Sequence, residues 1–263
     1  MPEPMLVCHG GAGHGARDQP GVELAVDAGW AILADGGTAL NAVIAAVLIM
    51  EDDPRLNAGT GGRKRDDGSV QLDAAVATSD GRLGCVMCIE DTPNPVLAAV
   101  ALLDEQVNIL AGDGARTWAD GAGIPRGTVI GSTRPASTDT VGAVARDSTG
   151  AFAVASSTGG CTGRPRGRVG DTPVWGAGLW CDENIAVAAT GIGEDITLKM
   201  LSHSVAVHHQ VLVSAADEEY ALAASLAHGI AMFDADIQVG LIAIDGKDGC
   251  GLANTDMPWA CRP

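Results

Sequence analysis

The sequence predicts a layered α+β fold. Strand-like and helix-like segments fall into separate runs instead of a regular strand–helix–strand alternation. Apolar residues make up 46% of 263 residues, enough for a substantial core, and no second core or internal repeat is visible. Thirty-six glycines against two Phe and one Tyr indicate elements packed closely on Ala and Val and joined by tight turns.

The first apolar run, 5–8, reads as a strand and opens into the loop His9-Gly10-Gly11-Ala12-Gly13. Apolar residues recur at helical spacing through 22–34, a run stopped by Gly36-Gly37. Thr38 then suits the N-cap of a second helix that reaches about residue 50 and ends before Pro54. Two strands, 70–76 and 84–89, are joined through Ser79-Asp80-Gly81. Helices follow at 95–105 and 114–122. Periodicity fails over 124–139, a polar stretch that reads as an exposed linker. Strands at 140–145 and 151–156 flank the turn Asp147-Ser148-Thr149-Gly150, and a third spans 185–190. One helix is expected over 195–208, and Ser214 with Asp217 forms a capping box for another that ends near His228. A last strand covers 239–244.

Sixteen basic against 33 acidic residues leave a formal charge of −17, which argues against nucleic acid and anionic membranes as partners. No apolar run is long enough to span a bilayer, and the start lacks the features of a secretory signal, so the expected location is cytoplasmic. Cys85 and Cys88 have C-x-x-C spacing, but they sit inside an apolar run without a second pair and read as buried thiols. Gly191-Ile192-Gly193 follows a strand and precedes a helix, yet lacks the third glycine of a dinucleotide loop and a following Walker lysine. The histidines, three of them at 203, 208 and 209, read as structural or solvated.

A hydrolase without a serine or histidine signature can use a threonine that supplies its own base. Once the preceding peptide bond is cut, the new α-amine has a pKa of about 7.7–8.0 and sits on the same residue as the hydroxyl. Such a threonine belongs at the start of a strand, directly after an exposed linker. Thr140 meets that description, as do many ordinary strand threonines.

The segment Ser137-Thr138-Asp139-Thr140-Val141-Gly142-Ala143 resembles the cleavage site of the N-terminal-nucleophile asparaginases. These are the plant-type L-asparaginases, or isoaspartyl peptidases, and the related glycosylasparaginases. The likeness runs along nearly the whole chain. It takes in Cys8-His9-Gly10-Gly11-Ala12-Gly13, Leu56-Asn57-Ala58-Gly59-Thr60-Gly61, Leu72-Asp73-Ala74-Ala75 and Ser157-Thr158-Gly159-Gly160. It continues through Gly167-Arg168-Val169-Gly170-Asp171 and Thr190-Gly191-Ile192-Gly193-Glu194.

The resemblance implies a four-layer αββα sandwich and self-cleavage between Asp139 and Thr140 into 1–139 and 140–263. It implies Thr140 as nucleophile, Thr158 holding it in position, and Thr190 with the Gly191 N–H stabilising the oxyanion. Arg168 is expected to grip the substrate α-carboxylate, while Asp171 and the Gly193 carbonyl take the α-ammonium. Asn57 is expected to face the nucleophile from the other half of the chain. The expected substrate is L-asparagine or a β-aspartyl dipeptide. Hydrolysis of N4-glycosyl-asparagine is an alternative, as is an uncut homologue that binds amino acids without turnover.

No organic or redox cofactor is needed. Relatives carry a sodium ion in a loop matching 50–60, with Met50, Glu51, Asp53, Leu56, Ala58 and Thr60 at the corresponding positions. Read from the residues alone, the same stretch is an acidic helix end. A homodimer of processed precursors is also implied. Two departures stand out: the linker 124–139 is shorter than in relatives, and Gly62-Arg63-Lys64-Arg65-Asp66-Asp67 brings extra basic charge toward the expected pocket rim.

Overall fold

A computed structural model of the chain describes residues 2–13, 15, 17–134, 140–215 and 220–263. The first strand, β1 (Met5–His9), leads into helices α1 (Gln19–Ala34) and α2 (Ala39–Asp52). Thr38 caps α2 as its sequence context predicts: its hydroxyl accepts the Asn41 N–H at 3.2 Å. Strands β2 (Leu72–Thr78) and β3 (Leu83–Ile89) form a hairpin, followed by α3 (Pro95–Ala101), the short β4 (Ile109–Ala111) and α4 (Gly112–Gly121). The helix expected over 95–105 stops early. The N–H groups of Leu102 and Leu103 bond carbonyls three residues back, and the chain tightens into turns.

Beyond the linker come β5 (Val141–Arg146), β6 (Phe152–Thr158), β7 (Leu179–Cys181) and β8 (Ile185–Gly191). The single helix expected over 195–208 is two, α5 (Gly193–Lys199) and α6 (Leu201–Ser214), broken at Met200 with φ 48°. No glycine or proline marks this break. It is held from outside, because the Ser202 hydroxyl and the Ser202 and His203 N–H groups bond the carbonyls of Gly176 and Ala177. The capping box at Ser214 is not realised: Ser214 ends α6, Asp217 lies outside the described residues, and the next helix, α7, runs from Ala221 to Ala231. Strands β9 (Val239–Asp245), β10 (Gly249–Ala253) and β11 (Trp259–Arg262) complete the chain.

The strands form two sheets. One has the order β11-β1-β5-β6-β2-β3-β4 and the other β10-β9-β8-β7. Among the described strands, β3 and β4 alone pair in parallel. The β6 strand lies between β5 and β2, with Val141 opposite Ser157 and Asp73 opposite Thr158. Extending that register by one residue puts Thr140 opposite Thr158.

Apolar side chains fill three layers. Val7, Val144 and Val154 of the first sheet meet Leu179, Ala188, Ile242 and Ile244 of the second. The outer face of the first sheet packs on α1 to α4 through residues such as Leu6, Val22, Val43, Leu72 and Val86. That of the second packs on α5 to α7 through Val187, Leu201, Val205, Leu226 and Leu241. Each fully buried Val or Leu contributes about 1.5–3 kcal/mol, so the small-residue core gains from number rather than side-chain size. Helices outside two apposed sheets are compatible with the αββα arrangement. Among the described residues, no helix is long and apolar enough to cross a membrane.

Candidate active site

Thr140 stands at the head of β5, only 4% exposed. Its hydroxyl oxygen lies 3.1 Å from that of Thr172, which is fully buried. Thr158 ends β6 on the neighbouring strand, and its hydroxyl accepts the Gly160 N–H at 3.1 Å. Thr140, Thr158, Arg168, Asp171, Gly191 and Gly193 line one narrow cleft of about 230 Å³. Six positions separated in sequence by up to 53 residues therefore converge on one cleft. Asp139, the other side of the expected scissile bond, lies outside the described residues.

Thr190 approaches from the second sheet, where β8 pairs with β9 and puts Thr190 opposite Gly240. The Thr190 hydroxyl accepts the Ala12 N–H at 3.2 Å, joining β8 to the glycine-rich loop after β1. The next residue, Gly191, has φ 151°, and a side chain there would press on the Gln238 carbonyl at 2.6 Å. Only glycine leaves this N–H so close to the cleft.

Arg168 and Asp171 ride on a loop bonded at several points. The Gly167 N–H donates to Gln71 Oε1 at 2.7 Å, the Cys88 thiol reaches the Arg168 carbonyl at 3.7 Å, and the Asp171 carbonyl accepts from Val174 and Gly178. Both side chains converge over Gly193, where an added Cβ would lie 2.9 Å from Arg168 Nη2 and 2.9 Å from Asp171 Oδ1. Asp171 is buried, and desolvation raises its pKa from 3.8 to about 7 despite the nearby guanidinium. Its Oδ2 has no hydrogen-bond partner among the described residues. A buried carboxylate with an open oxygen beside an arginine suits a zwitterionic amino-acid head. The Gly193 carbonyl, at the start of α5, accepts the Thr197 hydroxyl at 2.7 Å.

Asn57 does not simply face the nucleophile. Its Nδ2 donates to the Gly160 carbonyl at 2.7 Å, and its own carbonyl accepts the Gly159 N–H at 3.1 Å. It thereby clamps the segment just after Thr158 from the other half of the chain. The basic stretch 62–67 comes close to the cleft, since a Cβ added at Gly160 in its lining would lie 2.7 Å from Arg65 Nη1. Arg63 and Arg65 are both buried, and Arg65 Nη2 donates to the Gln71 carbonyl at 3.2 Å.

In the loop 50–60, Met50, Leu56 and Ala58 turn their side chains into the core. Asp53 is held by Arg55, with Nε 2.9 Å from Oδ1. Glu51 is buried, accepts the Val96 N–H at 3.0 Å, and is raised by desolvation to about 8. The Thr60 hydroxyl donates to the Glu51 carbonyl at 2.9 Å. With Asp53 paired to Arg55 and Glu51 accepting the Val96 N–H, backbone carbonyls are the main candidate donors of the loop. The carbonyls of Leu56 and Pro54 turn toward Gly61, where a side chain would collide with the first. Such a donor set fits a monovalent ion better than a divalent one.

Sequence reasoning overlooked two residues here. Thr172 directly follows the Arg168–Asp171 motif, and only the fold brings its hydroxyl to Thr140. Glu194 sits within a quoted motif, but its contact with Arg168 depends on the turn into α5. The imidazole of His9 is fully buried, and burial lowers its pKa to about 3, so it is neutral. A larger depression, about 860 Å³, lies at His209 and Asp245. Those two side chains bond each other at 2.9 Å, a structural pair as expected for His209, and none of the predicted site residues lines it.

Known proteins resemble this chain over most of its length. The isoaspartyl peptidase/L-asparaginase of Danio rerio is 37% identical over 78% of this chain and 76% of its own length. The protein of the same name from Homo sapiens is 33% identical over 98% of this chain and 92% of its own. The N(4)-(Beta-N-acetylglucosaminyl)-L-asparaginase of Elizabethkingia miricola is 31% identical over 84% and 72%. A family model described as asparaginase matches residues 2–129 and 128–262. With both halves of the chain matched and relatives aligned over most of its length, the chain belongs to the asparaginase family of hydrolases.

Proposed function

We propose that this chain is a self-processing threonine amidohydrolase acting on the side-chain amide of L-asparagine and of β-aspartyl dipeptides. One observation carries the reading: the buried Thr140 hydroxyl shares a cleft with a convergent Arg168–Asp171 pair. The two-sheet arrangement is read accordingly as the αββα sandwich of N-terminal-nucleophile hydrolases.

In the uncut chain the Thr140 nitrogen is an amide and cannot act as a base. The Thr140 hydroxyl attacks the Asp139 carbonyl, the C–N bond breaks, and the acyl group moves to oxygen. Water opens the ester, giving 1–139 and 140–263, with a free amine on Thr140. That amine then takes the hydroxyl proton as Oγ1 attacks the substrate side-chain carbonyl. The Gly191 N–H and the Thr190 O–H stabilise the oxyanion. The proton passes to the departing ammonia or amino group, leaving a β-aspartyl ester on Thr140. Water, deprotonated by the same amine, hydrolyses the ester and releases aspartate. Thr158 and Thr172 hold the nucleophile, Arg168 takes the α-carboxylate, and Asp171 with the Gly193 carbonyl takes the α-ammonium. Asn57 keeps the segment after Thr158 in place.

No step uses a cofactor. We propose a structural sodium ion in the loop 50–60, held by backbone carbonyls and supplying rigidity. A homodimer of processed chains and a cytoplasmic location complete the reading.

The relative from Elizabethkingia miricola favours one rival substrate, a glycosyl-asparagine, with the same nucleophile but a sugar amine leaving. Release of ammonia from asparagine, of an amino acid from β-aspartyl dipeptides, and of sugar amine from N4-glycosyl-asparagine ranks the three. The first two are expected to exceed the third. A processed protein that turns over only the glycosyl substrate would replace the proposed specificity, and aspartate binding without any turnover would leave a binding protein.

A further inference from the structure

The guanidinium of Arg168 already holds a carboxylate, that of Glu194. Nε donates to Oε1 at 3.1 Å and Nη2 to Oε2 at 2.8 Å. Two parallel N–H donors meeting two carboxylate oxygens is the geometry that an incoming α-carboxylate would use. The two partners differ in exposure: Arg168 is 11% exposed and Glu194 51%. Arg168 is fixed in the wall of the cleft, whereas Glu194 can turn into water at little desolvation cost. Glu194 follows directly after Gly193, over which Arg168 and Asp171 converge. Before any ligand arrives, the subsite therefore contains its own anion.

We propose that Glu194 is an internal competitor for the α-carboxylate subsite, which substrate displaces and which returns as product leaves. The inference rests on the assignment of Arg168 to the substrate α-carboxylate. It has three physical consequences. The nearly buried guanidinium stays paired when the cleft is empty, which avoids an unpaired charge. A ligand gains only the difference between its own carboxylate and that of Glu194, so one without a free α-carboxylate gains nothing from this fork. Aspartate, which carries the same head group as the substrate, is held less tightly than a preformed arginine site would hold it, and its release is eased. Glu194 thus sets KM and product affinity rather than the chemical step.

The alternative is that Glu194 merely orients Arg168, and the two roles give opposite signs. The test compares wild type with Glu194→Ala and Glu194→Gln, the cut fraction of each being read by intact mass. KM and kcat are measured for L-asparagine and for L-asparaginamide, whose α-carboxylate is blocked, and L-aspartate binding is titrated by calorimetry. Removal of the competitor should lower the asparagine KM and the aspartate Kd about three- to tenfold, with kcat per cut chain within about twofold. The KM for L-asparaginamide should shift by less than about twofold, because that ligand does not contend for the same fork. An unchanged or raised aspartate Kd in both variants would overturn the proposal. Aspartate titration needs no turnover, so tighter binding to the variants without amide hydrolysis by any of them would reject the catalytic reading and leave the competitor standing.

Discussion

The Thr140 and Thr172 hydroxyl oxygens lie 3.1 Å apart, joining the head of β5 to the residue that follows Asp171. Nucleophile and substrate-binding loop are thus coupled by one hydrogen bond between buried side chains. Replacing Thr172 by Val keeps its shape and removes that bond. We expect Thr172→Val to fold, to process more slowly and to lose about 10- to 100-fold in kcat with a small change in KM. Time-resolved intact mass and steady-state kinetics check this. Unchanged cutting and kcat would remove Thr172 from the machinery.

Gly193 forms the floor on which Arg168 and Asp171 meet. A methyl group there would sit 2.9 Å from both side chains. Gly193→Ala should raise the KM for asparagine by about tenfold or more, while self-cleavage, which does not use this subsite, proceeds. An unaltered KM would contradict the assignment of Arg168 and Asp171 to the substrate head.

Asp171 gives the site a pH signature. Desolvation raises its pKa to about 7, and only the ionised form pairs with an α-ammonium. The KM for asparagine should therefore rise as pH falls through about 7 in wild type, and Asp171→Asn should abolish that dependence while raising KM throughout. A wild-type KM that is flat from pH 8 to about 6 would oppose it.

The same burial affects stability, with an opposite sense to the usual carboxylate. Folded-state pKa values are raised to about 7 at Asp171, about 6 at Asp73 and about 8 at Glu51. A raised acid binds its proton more tightly in the folded state, so its contribution is present below the unfolded pKa and fades as pH rises through the folded one. The ligand-free, uncut Thr140→Ala variant should melt at a higher temperature at pH 5 than at pH 8, about where these groups ionise. Asp73→Asn and Asp171→Asn should each narrow the difference. A melting temperature that is no higher at pH 5 than at pH 8 would contradict these raised values.

The loop 50–60 offers a cation test. Asp53 is paired with Arg55 and Glu51 is shielded by burial, which leaves mainly carbonyl donors. Sodium at about 100 times its dissociation constant should stabilise the fold by about 2.7 kcal/mol relative to choline at equal ionic strength, read as a rise in Tm. Identical melting in both salts would eliminate the ion.

Local chemistry made much of the fold legible. Thr38 capped its helix because a hydroxyl beside free N–H groups is a local device, and β5, β6 and β8 followed from apolar runs between turns. What failed depended on distant atoms. Met200 interrupts a helical pattern because the carbonyls of Gly176 and Ala177 hold the start of α6. Ser214 looked like a cap but completes the preceding helix. The short strands β7 and β11 are defined by their partners, β11 by lying along β1. In the site, Thr140, Thr158, Arg168, Asp171, Gly191 and Gly193 were found through motif order and share one cleft. Thr172 and the Arg168–Glu194 contact were not, since no spacing rule announces a hydroxyl or carboxylate brought in by a loop. The burial of Arg63 and Arg65 was not legible either, since nothing local to a run of basic residues shows that the fold covers it.

Everything proposed for the chemistry requires the bond before Thr140 to be cut. Intact-mass spectrometry of freshly purified protein incubated at neutral pH, beside Thr140→Ala, measures this directly. Wild type is expected to yield two species whose masses meet between Asp139 and Thr140, and the variant to stay whole. A wild-type chain that remains intact over days would contradict the N-terminal threonine mechanism.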